Sequence, residues 1–316
     1  MKTSVCITTF NEEKNIGKLL DSLLRQSLKP AEIIIVDNLS SDKTVQIIRH
    51  YQKKDSRIKL WIQPSSRSAG RNYAIEIAKN NIIALTDAGC IADKNWLKNL
   101  VAPLNHREVE MVAGFYKMAG ETFFQKAAAV FLGVIQDKFD FKFLPSARSM
   151  AFKKDVWERL GGFPERLTNT AEDTMFNYLA LQNRVKIARV KKALVEWGMP
   201  KTLYDFSHKI FNYAKGDAQS KIWFYSDKSI TSHNIKIILI FLRYLIGVVL
   251  IVLSQKFYWL SPIILILIFF YILWAFKKVY LVTKSFFSGL WGIMLQFTSD
   301  LYAASGFIKG TINNHE

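Results

Sequence analysis

The chain has 316 residues, of which half are hydrophobic, 14% aromatic and 22% charged, with a mean hydropathy of +0.09. That length allows about two domains, and the composition excludes both an intrinsically disordered chain and, with 15 Gly and 7 Pro, a collagen-like or Pro-rich fibre. Its two cysteines, Cys6 and Cys90, are too few for a disulfide scaffold or a cysteine-built zinc site; both fall in apolar runs and read as buried thiols of a reducing compartment.

The formal net charge of +17 is spread as +12 over residues 1–234 and +5 over residues 235–316, without a Lys/Arg tract. A protein lying against anionic lipid or handling a diphosphate needs the same sign of charge. A nucleic-acid binder would cluster its basic residues in a recognised motif, and none is found, so no nucleic-acid partner is expected.

From the N-terminus, Ser4–Thr9 is a short β-rich run with no signal-peptide pattern before it. Asn15–Gln26 then sets Ile16, Leu19, Leu20, Leu23 and Leu24 at helical spacing, which predicts a one-faced amphipathic helix. Glu32–Val36 is the continuous apolar run of a strand covered on both faces. The turn Asp37-Asn38-Leu39-Ser40-Ser41-Asp42 ends in a good N-cap and leads into a helix over Lys43–Gln52. Ile58–Ile62 predicts a third strand, Ser68–Ala78 a helix and Ile82–Thr86 a fourth strand. Alternation of this kind predicts an α/β fold with a parallel sheet and right-handed crossovers. Ligands in such sheets bind beyond the carboxyl ends of the strands, where this chain places Asn11 and Glu12, Asp37, the Ser65–Asn72 loop and Asp87.

After about Asn234 the texture changes. Ile235–Leu253 is apolar apart from Lys236 and Arg243, and Phe257–Phe276 carries no charge at all. Each is long enough to cross a bilayer core of ~30 Å as a helix, and Ser254-Gln255-Lys256 joins them as a hairpin. Trp259, Tyr258 and Trp274 suit the headgroup belts, and Lys277, Lys278 and Lys284 follow the second segment while Lys256 stands alone on the far side. The positive-inside rule then places the N-terminal domain in the cytoplasm. A third apolar stretch, Phe286–Ile308, is interrupted by Gly289, Gly292, Asp300 and Gly306, and leaves spanning, re-entrant and interfacial helices open. The expected organisation is a domain over residues 1–230 and a C-terminal membrane region over 231–316, with helices near 235–253, 257–276 and, if the third stretch spans, 285–308.

Several segments together carry a family likeness. Ile7-Thr8-Thr9-Phe10-Asn11-Glu12-Glu13, Ile35-Val36-Asp37-Asn38 through Asp42-Lys43-Thr44, Ser68-Ala69-Gly70-Arg71-Asn72, Leu85-Thr86-Asp87-Ala88-Gly89, Leu160-Gly161-Gly162-Phe163-Pro164-Glu165 and Ala171-Glu172-Asp173 occur in that order over roughly residues 3–220. In this the chain resembles the family 2 glycosyltransferases, and the resemblance implies a GT-A nucleotide-diphospho-sugar transferase domain with a mostly parallel central sheet, followed here by transmembrane helices.

The resemblance also implies roles. Asp37 would hold the nucleobase, with Thr9, Phe10 and Glu12 of the first strand's turn against ribose and base. A carboxylate there can accept a base N–H, although Asp37 also suits a turn, and Glu12 suits a first helical turn. Arg71 would lie near base or diphosphate, or else stand as a solvated helix residue, and Asn72 reads as loop support. Asp87 would contact the ribose and, through Mg²⁺ or Mn²⁺, the diphosphate. The family usually has Asp-x-Asp here, whereas this chain has Asp87-Ala88-Gly89. One carboxylate with phosphate oxygens and water can still serve Mg²⁺. Asp93 reads as a cap for the helix holding Trp96 and Leu97, and His208 as a structural histidine.

Asp173 matches the general base of an inverting transfer. It equally suits the first turn of a helix over Ala171–Leu181 capped by Asn169 or Thr170. Processive family members usually carry Gln-x-x-Arg-Trp near the membrane, and Phe211–Ala218 does not. Lys215 in that stretch could meet the leaving diphosphate or belong to an amphipathic helix at the membrane. The expected function is therefore transfer of a single sugar from a nucleotide-diphosphate sugar to a lipid-linked or surface-glycan acceptor at the cytoplasmic membrane face. The alternatives are a polyprenyl-phosphate glycosyl synthase, or a nucleotide-binding module that has lost catalysis.

Overall fold

In the computed structural model, residues 1–134, 139–167, 171–221 and 232–312 are described. The chain forms two compact units, Met1–Met118 with Ile135–Gly198, and Ala119–Val134 with Met199–Glu316. Packing thus groups residues differently from the change of composition near Asn234, because Ala119–Val134 and Met199–Ser220 join the C-terminal helices.

The elements run β1 (Thr3–Thr9), α1 (Ile16–Leu24), β2 (Glu32–Asp37), α2 (Thr44–Lys54), β3 (Ile58–Ile62), α3 (Arg67–Glu76), β4 (Ile82–Leu85), β5 (Cys90–Ala92), α4 (Trp96–Val101), β6 (Met111–Ala119), α5 (Phe123–Leu132), β7 (Met150–Lys153), α6 (Lys154–Arg159), α7 (Glu172–Gln182), β8 (Ile187–Gly198), α8 (Leu203–Ser220), α9 (Ser232–Ser254), α10 (Leu260–Thr283) and α11 (Phe286–Ile312). The first unit holds an eight-stranded sheet of order β3-β2-β1-β4-β7-β6-β8-β5. Its first four strands are parallel, as the strand–helix alternation predicts. Beyond β4 the sheet continues with β7 antiparallel to β4 and to β6, and β5 antiparallel to β8.

Every residue of β2 is buried, so the sheet is covered on both faces there. Cys6, Ile34, Val36, Ile83 and Leu85 face a core closed by Ala74 and Ile75 of α3 and Phe176 of α7. Their strand neighbours Val5, Ile7, Ile33 and Ile35, equally buried, take the opposite face. Both cysteines are free and buried, as their apolar surroundings predict, and burial pushes the Cys90 thiol up to about 12. The parallel register sets Thr9 beside Asp37 and Asp37 beside Ile62, so that β1, β2 and β3 end on one level.

The second unit is helical. Ile237–Ser254 and Leu260–Thr283, of 18 and 24 residues, are long and apolar enough to cross a membrane. The third apolar stretch is one unbroken helix, which corrects the reading of its glycines as interruptions. They lie where α11 presses on its neighbours: a Cβ on Gly292 would sit 2.6 Å from Val279 Cγ2 of α10, and one on Gly306 or Gly310 would strike the backbone carbonyl of Phe211 or Lys215 on α8. Asp300 is only 1% exposed and accepts from Arg243 Nη2 of α9 at 2.6 Å, from the hydroxyls of Tyr271 and Tyr244, and from Gln296 Nε2 at 2.9 Å. Arg243 and Asp300, charges set inside otherwise apolar segments, therefore neutralise each other.

Candidate active site

The loops leaving β1 and β2 are stitched into one platform. Asn11, with φ +52°, donates its N–H to Ser40 Oγ at 2.8 Å and accepts the Ser41 N–H at 2.9 Å. The Glu12 N–H reaches Thr44 Oγ1 at 2.7 Å, and the Glu13 N–H reaches Asp42 at 3.1 Å. Asp42 also takes the Thr44 N–H at 2.9 Å, but the N-cap of α2 falls one residue later than the turn's sequence predicts, on Lys43, which makes no side-chain cap bond. Asp37 is fully buried, and its two carboxylate oxygens accept the Ser40 N–H at 2.8 Å and the Ser40 hydroxyl at 2.6 Å. A base N–H would come as a further bond to one of those oxygens. Phe10 stands 56% exposed at the tip of β1. The buried Thr9 Oγ1 has no hydrogen-bond partner among the described residues, an arrangement that buried hydroxyls seldom tolerate unless water or a ligand completes it.

Next to this platform is a charged cluster. Arg71 of α3 is 4% exposed and forks between two acids: Nη2 meets Asp87 Oδ1 at 2.7 Å and Nη1 meets Glu172 Oε1 at 2.5 Å. Arg71 is thus no solvated helix residue; it ties the end of β4 to the start of α7. Burial alone would lower its pKa, but Asp87, Glu172 and Asp173 together raise it. Burial alone would raise that of Asp87, yet Arg71, then Arg148 and Arg67, hold the carboxyl below the usual aspartate range. Asp87 keeps 32% of its side chain exposed.

Asp173, half-buried, accepts the Ala147 N–H at 3.2 Å and the Ser146 hydroxyl at 3.4 Å. The helix that carries it begins at Glu172 after Ala171, whose φ of +70° is a strained conformation for a residue with a Cβ. Asn169 and Thr170, the expected caps, lie outside the described residues.

The glycosyl transferase family 2 model matches residues 4–158. The chain carries a family 2 glycosyltransferase domain. EpsJ of Bacillus subtilis, named an uncharacterized glycosyltransferase, is 23% identical over 238 residues, covering 71% of this chain and 69% of EpsJ. Two solved structures share the fold. The mannosyltransferase PcManGT of Pyrobaculum calidifontis, in complex with GDP-mannose and Mn²⁺, superposes with TM-score 0.54 at 21% identity over 69% of this chain and 62% of its own. TarS residues 1–349 of Staphylococcus aureus, in complex with UDP-GlcNAc, superposes with TM-score 0.54 at 22% identity over 71% of both chains. Full-length TarS, a poly(ribitol-phosphate) beta-N-acetylglucosaminyltransferase, is matched over 34% of its length.

In this glycosyltransferase the expected residues Arg71, Asp87 and Asp173 fall in one cluster, with Thr9, Phe10, Glu12 and Asp37 at the ends of the adjoining strands. Asn72 is the loop support that its place in the motif implies. Its side chain takes the Phe163 N–H at 2.8 Å and the Trp157 indole at 3.0 Å, and donates to the Phe163 carbonyl at 2.8 Å. Lys215 belongs to the second unit, on α8 where that helix meets Gly310 of α11. Asp93 accepts the Asn95 N–H at 2.9 Å at the start of α4.

For a divalent ion, no group of three His, Cys, Asp or Glu comes together among the described residues. Gly89 stands where the second acid of Asp-x-Asp would be, and a Cβ there would lie 3.8 Å from Glu12 Oε1. The donor set therefore fits an ion held by Asp87 and shared with phosphate oxygens and water, and does not form an all-protein cage. Sequence reasoning singled out neither Glu172 nor Arg67 as a site residue. Arg67 Nη1 lies 3.8 Å from Glu172 Oε1. The only signal for these residues was their place within or beside the matched motifs.

Proposed function

We propose that this glycosyltransferase moves one sugar, with inversion at the anomeric carbon, from a nucleotide-diphosphate sugar to a lipid-linked or surface-glycan acceptor. The observation that carries this reading is the joining of Asp87 and Asp173 through Arg71 and Glu172 at the carboxyl edge of the sheet. Asp87 would take the ribose. Asp173 would accept the acceptor hydroxyl's proton as that oxygen bonds to the anomeric carbon. The bond from that carbon to the diphosphate oxygen breaks on the opposite face, and its electron pair leaves with the diphosphate. A divalent ion held by Asp87, Mg²⁺ or Mn²⁺, would supply Lewis-acid neutralisation of that leaving charge. Thr9, Phe10, Glu12 and Asp37 would enclose the nucleoside. GDP-mannose in PcManGT and UDP-GlcNAc in TarS support a sugar-nucleotide donor.

The setting is proposed as a multi-pass membrane protein of the plasma membrane, with residues 1–230 as a cytoplasmic catalytic domain and residues 231–316 as the membrane region. The two apolar helices support it, as does the placing of Lys277, Lys278 and Lys284 on one side and Lys256 on the other. The test is a panel of UDP- and GDP-sugars on the detergent-purified full chain, with and without Mg²⁺ or Mn²⁺. Metal-dependent release of nucleoside diphosphate that disappears in Asp87→Ala is expected. Silence across the panel, with no nucleotide bound, would overturn the transferase reading.

A further inference from the structure

We infer that Arg148 is the cation that receives the donor's second phosphate, held ready for it by an aromatic clamp. Two strands and a connecting segment build the clamp: Trp197 from β8, Tyr116 from β6, and the segment leading into β7, which carries Arg148 itself. The guanidinium carbon lies 3.8 Å from the centre of the Trp197 ring and 5.0 Å from that of Tyr116. Both rings are buried, and they meet edge to face with centroids 6.1 Å apart. A guanidinium lying on aromatic faces keeps its charge and its planar fork of N–H groups, and gives up little rotamer freedom when an oxyanion arrives.

The clamp stands beside both reacting ends. Arg148 Nη1 donates to Ser146 Oγ at 3.1 Å, and the Ser146 hydroxyl donates in turn to Asp173 at 3.4 Å. At the other end the clamp residue Trp197 pairs across the sheet with Cys90, whose N–H donates to the Asp87 carbonyl at 3.0 Å. Arg71 itself is committed to two carboxylates and 4% exposed, so it serves as a strut of the site. Arg148 is half-buried and reachable. A diphosphate lying between the ribose at Asp87 and the sugar at Asp173 passes the fork of Arg148. With Gly89 in place of a second acid, a fixed cation supplies part of the charge neutralisation that an ion held by only one carboxylate leaves undone.

The inference rests on the sugar-nucleotide reading above and deepens it. It is tested by the affinities of UDP, GDP, UMP and GMP for the full chain in detergent, measured calorimetrically on wild type, Arg148→Met and Arg148→Lys. Arg148→Met should weaken whichever diphosphate the wild type binds by roughly 10- to 100-fold, and its monophosphate by less than about 2-fold. The monophosphate also serves as the control for folding. Arg148→Lys, which keeps the charge without the fork, should recover part of the loss. Equal losses for diphosphate and monophosphate in both variants would make Arg148 a structural or base-side residue and overturn the inference. So would unchanged diphosphate affinity in Arg148→Met. If the wild type binds none of the four nucleotides, the donor reading itself falls, an outcome distinct from either.

Discussion

Two neighbouring carboxylates, Glu172 and Asp173, are indistinguishable by composition and opposite in circumstance. Glu172 is 4% exposed and answers a buried guanidinium, whereas Asp173 is half-buried and accepts only long bonds. Removing one partner of a buried pair leaves the other charge uncompensated, so Glu172→Gln should cost about 3 kcal/mol of stability. Asp173→Asn should leave the melting temperature nearly unchanged while lowering kcat by roughly 10²- to 10⁴-fold. Thermal melts and initial rates on the two variants decide the matter, and the reverse pattern would exchange their roles. The motif alone could not divide this pair, because the division depends on Arg71 reaching across from another helix. The motif singled out Arg71 as a candidate, but its bridging of Asp87 and Glu172 was not legible in it.

At the scale of elements, α1 and the four parallel strands followed directly from hydrophobic period and from runs such as Glu32–Val36, which the sheet buries throughout. α11 did not, because its glycines and Asp300 are poor signals in a single helix and gain sense only from α8, α9 and α10. Glycines at a close crossing let backbones meet, and Asp300 meets Arg243 at 2.6 Å. Asp300→Leu should therefore leave Arg243 as an unanswered cation and cost about 2–3 kcal/mol, discounted because Arg243 is 36% exposed. The double variant Arg243→Leu with Asp300→Leu should recover most of that loss in thermal melts in detergent. A double variant less stable than either single one would refute the pairing as the cause.

For the whole molecule, acid is the condition that removes its electrostatic support. Glu32 is buried in β2; burial alone would raise its pKa, yet the Lys59 ammonium, the Ser4 hydroxyl and the Lys79 N–H hold it below the usual glutamate range. A carboxyl depressed in the folded state contributes stability that is complete above its unfolded value of ~4.3 and is lost as the pH falls through the folded one. Asp87 acts with the same sign. The chain also starts from +17, so each protonated carboxylate adds to self-repulsion. Melting temperature should hold from neutrality to about pH 5 and fall steeply below it, less steeply in Glu32→Gln. A flat profile down to pH 3 would contradict this.

The sequence by itself determined the α/β half, the buried cysteines, the two helices apolar enough for a membrane and the strand ends that carry polar groups. Periodicity, apolar runs and turn residues are local, and local order is written in consecutive residues. The tertiary structure decided which of those polar groups act together. It brought Arg71 between Asp87 and Glu172, laid Arg148 on Trp197 and Tyr116, and paired Arg243 with Asp300. Each of these joins residues from separate elements, and a charge finds its partner only when sheet order and helix crossing bring the two within a few ångströms. Coulombic and hydrogen-bond energies depend on that distance, which a list of residues does not contain.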